Sequence, residues 1–149
     1  MAKKGNKTPK SAYLPITGKQ ARAGSGADLV PAMSFRWSLD RFDWLGPFSC
    51  KEMTPQVFSS TIISHLQAFD AMTWNEIDGP TGSHFVSVSD LIKPARKRLV
   101  EIGMEDTDQL FSLRCGGKPR IWGIREIAVL RVLWWDPEHE ICPSTKKHT

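Results

Sequence analysis

The chain has 149 residues, a net charge of +4 and a hydrophobic share of 40%, enough for one domain with its own core plus a tail. No apolar run approaches the roughly 20 residues that span a bilayer, and no apolar segment follows the basic N-terminal residues, so neither a membrane span nor a secretory leader is expected. Three widely spaced cysteines, Cys50, Cys115 and Cys142, argue against a disulfide framework and for a reducing cytoplasm.

Charge is unevenly divided along the chain. Residues 1–28 carry six lysines and arginines against Asp28, a net +5, which leaves −1 for the remainder. Segment 1–32, made largely of Lys, Gly, Ser, Pro and Ala, has too little apolar mass to offset its ordering entropy. It is expected to be a disordered basic tail, either solubilising or in contact with nucleic-acid phosphates or an acidic partner. A single domain is expected over 33–149.

Within that domain, Ser34 to Leu45 sets Phe35, Trp37 and Leu39 against Arg36, Ser38 and Asp40. This is the alternation of a half-buried strand, and Gly46-Pro47 ends it. Thr54-Pro55 opens a helix, with Thr as N-cap and Pro at the first helical position. Phe58, Ile62, Leu66 and Phe69 follow at helical spacing, and Asp78-Gly79-Pro80 breaks the chain beyond them. Gly82 to Phe85 reads as a linker into a second helix over roughly Ser89 to Ile102. That helix has an apolar face of Leu91, Ala95, Leu99 and Ile102, a basic face of Lys93, Arg96, Lys97 and Arg98, and Gly103 as its C-cap. Pro94 requires the helix proper to begin near it, or its first turn to kink.

Strand-favouring residues then arrive in three bursts, Leu110 to Arg114, Arg120 to Arg125 and Ala128 to Trp135. Gly116-Gly117-Lys118-Pro119 separates the first two as a tight turn, and Glu126-Ile127 separates the second from the third. Asp136-Pro137 ends the last, with a further short strand allowed around Glu140 to Cys142. The fold expected is α+β: an N-terminal strand, two helices, then a three- to four-stranded antiparallel meander, with both helices packed on one face of the sheet and polar groups on the other.

A strand, two helices and an antiparallel meander resemble the RelE/ParE superfamily of small bacterial toxins over about Ser34 to Ser144. The local pattern FSLRCGGKPRIWGIR is similar to that family's central basic hairpin. The resemblance implies an endoribonuclease in which the 2′-hydroxyl of mRNA attacks the adjacent phosphate, with the ribosome and a cognate antitoxin as partners and no metal or small-molecule cofactor. Such chemistry needs fixed cations on the phosphate and groups that move protons. Arg114, Arg120 and His139 are the catalytic candidates, converging on one concave face. Lys118 and Arg125 are phosphate contacts, Trp135 is a base-stacking contact, and Glu138 is a second candidate base. The chain departs from the family in that its only tyrosine is Tyr13. His139, Cys142 and His148 lack the paired spacing of a zinc site. Two rival readings share these residues: a ParE-like toxin that inhibits by binding, and a non-enzymatic module that docks RNA or protein.

Overall fold

The structure, a computed structural model, describes residues 29–49 and 53–143. Most of the basic tail expected over 1–32 lies outside them. Val30–Ala32, however, form a short 3-10 turn whose Val30 is buried in the core.

Five strands make one sheet in the order β1-β5-β4-β3-β2. They are β1 (Arg36–Ser38), β2 (His84–Ser87), β3 (Gln109–Arg114), β4 (Arg120–Glu126) and β5 (Val129–Asp136). The three bursts of the sequence are β3, β4 and β5, paired antiparallel through tight turns. Two expectations need correction. The sheet is mixed, because β1 pairs parallel to β5. The stretch read as a linker contains an edge strand, β2, antiparallel to β3. Only four residues long, with polar His84 and Ser87 at its ends, β2 carries too little alternation to stand out. Glu140 to Cys142 forms no strand, and the strand expected over Ser34 to Leu45 shrinks to three residues followed by a loop.

Helix α1 opens at Thr54, whose side chain accepts from the Val57 amide, with Pro55 in its first turn. It runs through Pro55–Phe58, a π-helical stretch Ser59–Ile63, and Ser64–Asp70. The single turn α2 (Trp74–Ile77) follows, closed by a Thr73/Glu76 capping box. Helix α3 (Lys93–Glu101) begins just before Pro94, which occupies the first turn where its missing N–H costs nothing. It ends at Gly103, whose φ is +75°, with the Met104 amide donating to the Leu99 carbonyl.

The helices lie on opposite faces of the sheet, correcting the expectation of a single helical face. Ile62, Leu66, Trp74 and Ile77 pack with Phe111, Leu113, Ile121, Leu130, Val132 and Trp135. Leu91, Ala95 and Leu99 of the α3 region pack with Val86, Leu110, Trp122, Leu133, Trp134 and Ile141. The cause is visible in β3 and β5, which bury successive residues and so present apolar groups on both sides. A sheet with two apolar faces requires a cover on each.

A β-bulge sets the last part of β5. Gly123 pairs with Val132 while Trp122 pairs with Trp134, leaving Leu133 as the extra residue. A Cβ on Gly123 would lie 2.5 Å from the Arg131 carbonyl oxygen, so only glycine fits against the bulged strand. The β4–β5 turn carries a cost: Ile127 is exposed and held at φ +55°, which is unfavourable for a β-branched residue. Ile127→Gly should therefore stabilise the fold by about 1 kcal/mol, since left-handed backbone costs an L-residue roughly 1–2 kcal/mol and glycine returns part of that as entropy. Urea unfolding of both proteins measures the difference.

The loop after β1 is locked across the α3 face. Asp43 is buried, accepts from both Arg98 Nη2 (2.7 Å) and Nε (2.8 Å), and takes the Trp134 indole N–H at 3.1 Å. Arg98 thus turns away from the solvated basic face to which its spacing assigned it. Burial raises the Asp43 pKa, but the Arg98 and Trp134 hydrogen bonds outweigh this and hold it below the ordinary value. A depressed native pKa gives stability that is present above about pH 3.9 and lost as pH falls through the native value. Arg98→Ala should raise that native pKa and move the acid unfolding midpoint to higher pH, as followed by tryptophan fluorescence.

Candidate functional site

The site lies on the α3 face, at the end of the sheet where β3 turns into β4. The register there is direct: Arg114 pairs with Arg120, and Arg120 pairs with Asp136. One step inward, His84 pairs with Ser112, Ser112 with Trp122, and Trp122 with Trp134. Side chains two residues apart share a face, so His84, Arg114, Arg120 and Asp136 all project to one side.

Each arginine is anchored by its own hairpin. Arg120 Nη1 donates to the carbonyls of Gly117 (2.7 Å), Lys118 (2.9 Å) and Pro119 (3.0 Å). Arg114 Nε donates to the Gly116 carbonyl at 2.7 Å. The Arg114 side chain also lies over Gly82, where a Cβ would be 2.9 Å from its Nη1 and the backbone φ of +81° favours glycine. Among the described residues, neither arginine forms an ion pair. Like charges directly opposite on neighbouring strands are unfavourable without a counter-ion. Burial, then the charge of Arg114, lowers the Arg120 pKa from its ordinary value.

Asp136 positions the third candidate. Buried below the arginines, its carboxylate accepts from the Trp122 indole (3.1 Å) and from the amides of Glu140 (2.8 Å) and Ile141 (3.1 Å). The loop is thereby folded back over the sheet end, and His139 at its tip takes φ +57°. Burial lowers the His139 pKa first, and the charge of Arg120 lowers it further. Asp136 opposes this, and His84 and Arg114 add to the lowering. These influences favour the neutral imidazole of His139, the form that accepts a proton.

Of the sequence candidates, Arg114 and Arg120 pair across neighbouring strands, and His139 lies within the influence of both their charges. Lys118 lies with its Nζ 3.4 Å from the Glu138 carboxylate, both side chains largely exposed. Arg125 and Trp135 are elsewhere. The Arg125 guanidinium stacks on the opposite face, 4.7 Å from the Phe85 ring centre and 5.3 Å from that of Trp74. Trp135 is largely buried in the α1-side core. Sequence reading missed His84, because the strand that carries it was taken for a linker, and Asp136, which stood there as a turn residue. The nearby thiol of Cys115 is no nucleophile, since burial pushes its pKa up to about 12.

The Ser112 hydroxyl, beneath the site, is the buried side-chain polar atom left without a hydrogen-bond partner among the described residues. No group of three or more His, Cys, Asp or Glu able to hold a metal ion occurs among them, and no helix there is long and apolar enough to cross a membrane.

An anion seated on the arginines would offset their pull on His139. The His139 Cε1–H resonance should titrate below about 6.5 in the free protein and move to higher pH on adding inorganic phosphate. Arg120→Gln should raise the starting value and weaken the phosphate response. A value unchanged by phosphate would remove the anion site.

Comparison of the chain with family models, curated proteins and solved structures finds no match. The chemistry of the site rests on these side chains themselves.

Proposed function

We propose that this protein is an endoribonuclease of RelE-like type, cleaving mRNA by attack of a 2′-hydroxyl on the adjacent phosphate. The observation that carries the reading is the cross-strand pair Arg114/Arg120, anchored by its hairpin and making no direct ion pair among the described residues. Guanidinium groups bind phosphate oxygens through planar, paired donors. Held by backbone carbonyls before substrate arrives, they need little reorganisation as charge develops on the phosphoryl oxygens. The imidazole of His139 takes the proton of the attacking 2′-hydroxyl. The two arginines neutralise charge without requiring a metal ion. The partners that accompany this reading are mRNA on the ribosome and a cognate antitoxin, in a reducing cytoplasm.

Purified protein incubated with single-stranded RNA of mixed sequence, in excess chelator, should yield 2′,3′-cyclic phosphate and 5′-hydroxyl ends. Arg120→Ala should slow cleavage by about a hundred- to a thousandfold, by analogy with loss of one oxyanion-hole donor. Inducible expression in bacteria with mapping of transcript ends extends the test to cells. Growth arrest without new ends would favour a ParE-like inhibitor, and neither arrest nor cleavage would favour a binding module.

A further inference from the structure

In-line displacement at phosphorus places the attacking and leaving oxygens on opposite sides of the transferred group. A clamp that holds the phosphate therefore needs a proton acceptor on one flank and a proton donor on the other. The strand order answers this requirement. Arg114 on β3 and Arg120 on β4 occupy the middle, His139 follows β5 on one side, and His84 stands on β2 on the other. With neighbouring strands about 4.8 Å apart, β2 and β5 are separated by about 14 Å, room for one phosphate with an imidazole reaching in from each flank.

The placement of His84 is specific. Its strand pairs it with Ser112, on the same face as Arg114 and Arg120. Its Nδ1 lies 3.2 Å from the Gly82 carbonyl, and the same Gly82 supplies the space in which Arg114 lies. A carbonyl only accepts, so Nδ1 carries its hydrogen and proton exchange is left to Nε2. The ring is exposed on an edge strand, open to a bound chain.

We propose that His84 is the general acid of this site, protonating the leaving 5′-oxygen from Nε2 while His139 accepts the 2′-hydroxyl proton. The assignment rests on the ribonuclease reading above and adds its polarity. The O2′–P bond forms and the P–O5′ bond breaks. The 2′-hydroxyl proton passes to His139, and the His84 proton passes to O5′. The products are a 2′,3′-cyclic phosphate and a 5′-hydroxyl, and solvent exchange restores both imidazoles. The nucleotide 3′ to the cut leaves over β2, and the one that supplies the 2′-hydroxyl lies toward the β5 end.

The test uses the full chain, its His84→Ala variant and two RNA oligonucleotides of the same sequence. One is ordinary; in the other the 5′-oxygen at the mapped cut is replaced by sulfur, which leaves as a thiolate without needing a proton. His84→Ala should cut ordinary RNA about a hundred- to ten-thousandfold more slowly, the usual contribution of a general acid, and recover most of the wild-type rate on the sulfur-containing RNA. Equal impairment on both substrates would make His84 structural and overturn the assignment. A variant as fast as wild type on ordinary RNA would overturn it too, leaving the ribonuclease reading intact. A wild-type protein that cuts neither RNA would overturn both.

Discussion

The buried carboxylate of Asp136 joins the sheet to the site. It receives the Trp122 indole from β4 and two amides from the loop beyond β5, and it stands across from Arg120. A buried carboxylate holds its place only with donors around it, and these three come from parts of the chain up to 19 residues apart. The same contacts fold residues 137–141 back over the α3 face, where Ile141 enters the core and its carbonyl accepts from the Ile92 amide at 3.0 Å. His139 is carried to the arginines as a consequence. One carboxylate thus couples the end of β5, the start of α3 and the position of His139.

That coupling depends on the bulge at Leu133. Side chains alternate along a strand, so one extra residue reverses the face of every residue after it. With the bulge, Leu133 and Trp134 both point to the α3 face, Trp135 to the α1 face, and Asp136 to the α3 face beside Arg120. Without it, Asp136 would point the other way, and the loop bearing His139 would start on the wrong side of the sheet. Gly123 permits the bulge by removing the Cβ that would strike the Arg131 carbonyl. Two tryptophans on the α3 face then need acceptors for their indole N–H groups, and two aspartates supply them: Asp43 for Trp134 and Asp136 for Trp122.

Several arginines outside the site have charge partners that fix them in the fold. Arg36 pairs with Asp70, Arg98 with Asp43 and Glu101, and Arg131 with Asp40 and Glu126. Arg125 lies on aromatic rings. Arg114 and Arg120 instead spend donors on carbonyls of their own hairpin, which fixes their direction without cancelling their charge. Two guanidiniums opposite each other, with the single Asp136 carboxylate facing Arg120, are stabler with an anion between them, whatever the average charge of the folded body.

Local chemistry alone determined much of this protein. The bursts of β-branched and aromatic residues marked β3, β4 and β5; Thr54-Pro55 marked the start of α1; and Gly103 marked the end of α3. Each of these signals acts within a few residues through φ preference, capping or alternation. The basic hairpin was legible for the same reason, because a short turn between two strands must bring Arg114 and Arg120 together. Only the tertiary structure decided the rest. Strand β5 is apolar on both faces, yet the sequence reading placed both helices on one side; that both sides are covered, and by which helix, depends on how the chain crosses the sheet. That the face of Arg125 is lined by Phe85 and Trp74, whose rings it stacks on, follows from packing across the sheet. His84 sits on a strand of four residues that is held by pairing with β3 rather than by its own sequence, and the reach of His139 follows from a bulge and a buried carboxylate. Such features arise from contacts between residues far apart in the chain, and local propensity carries no record of them.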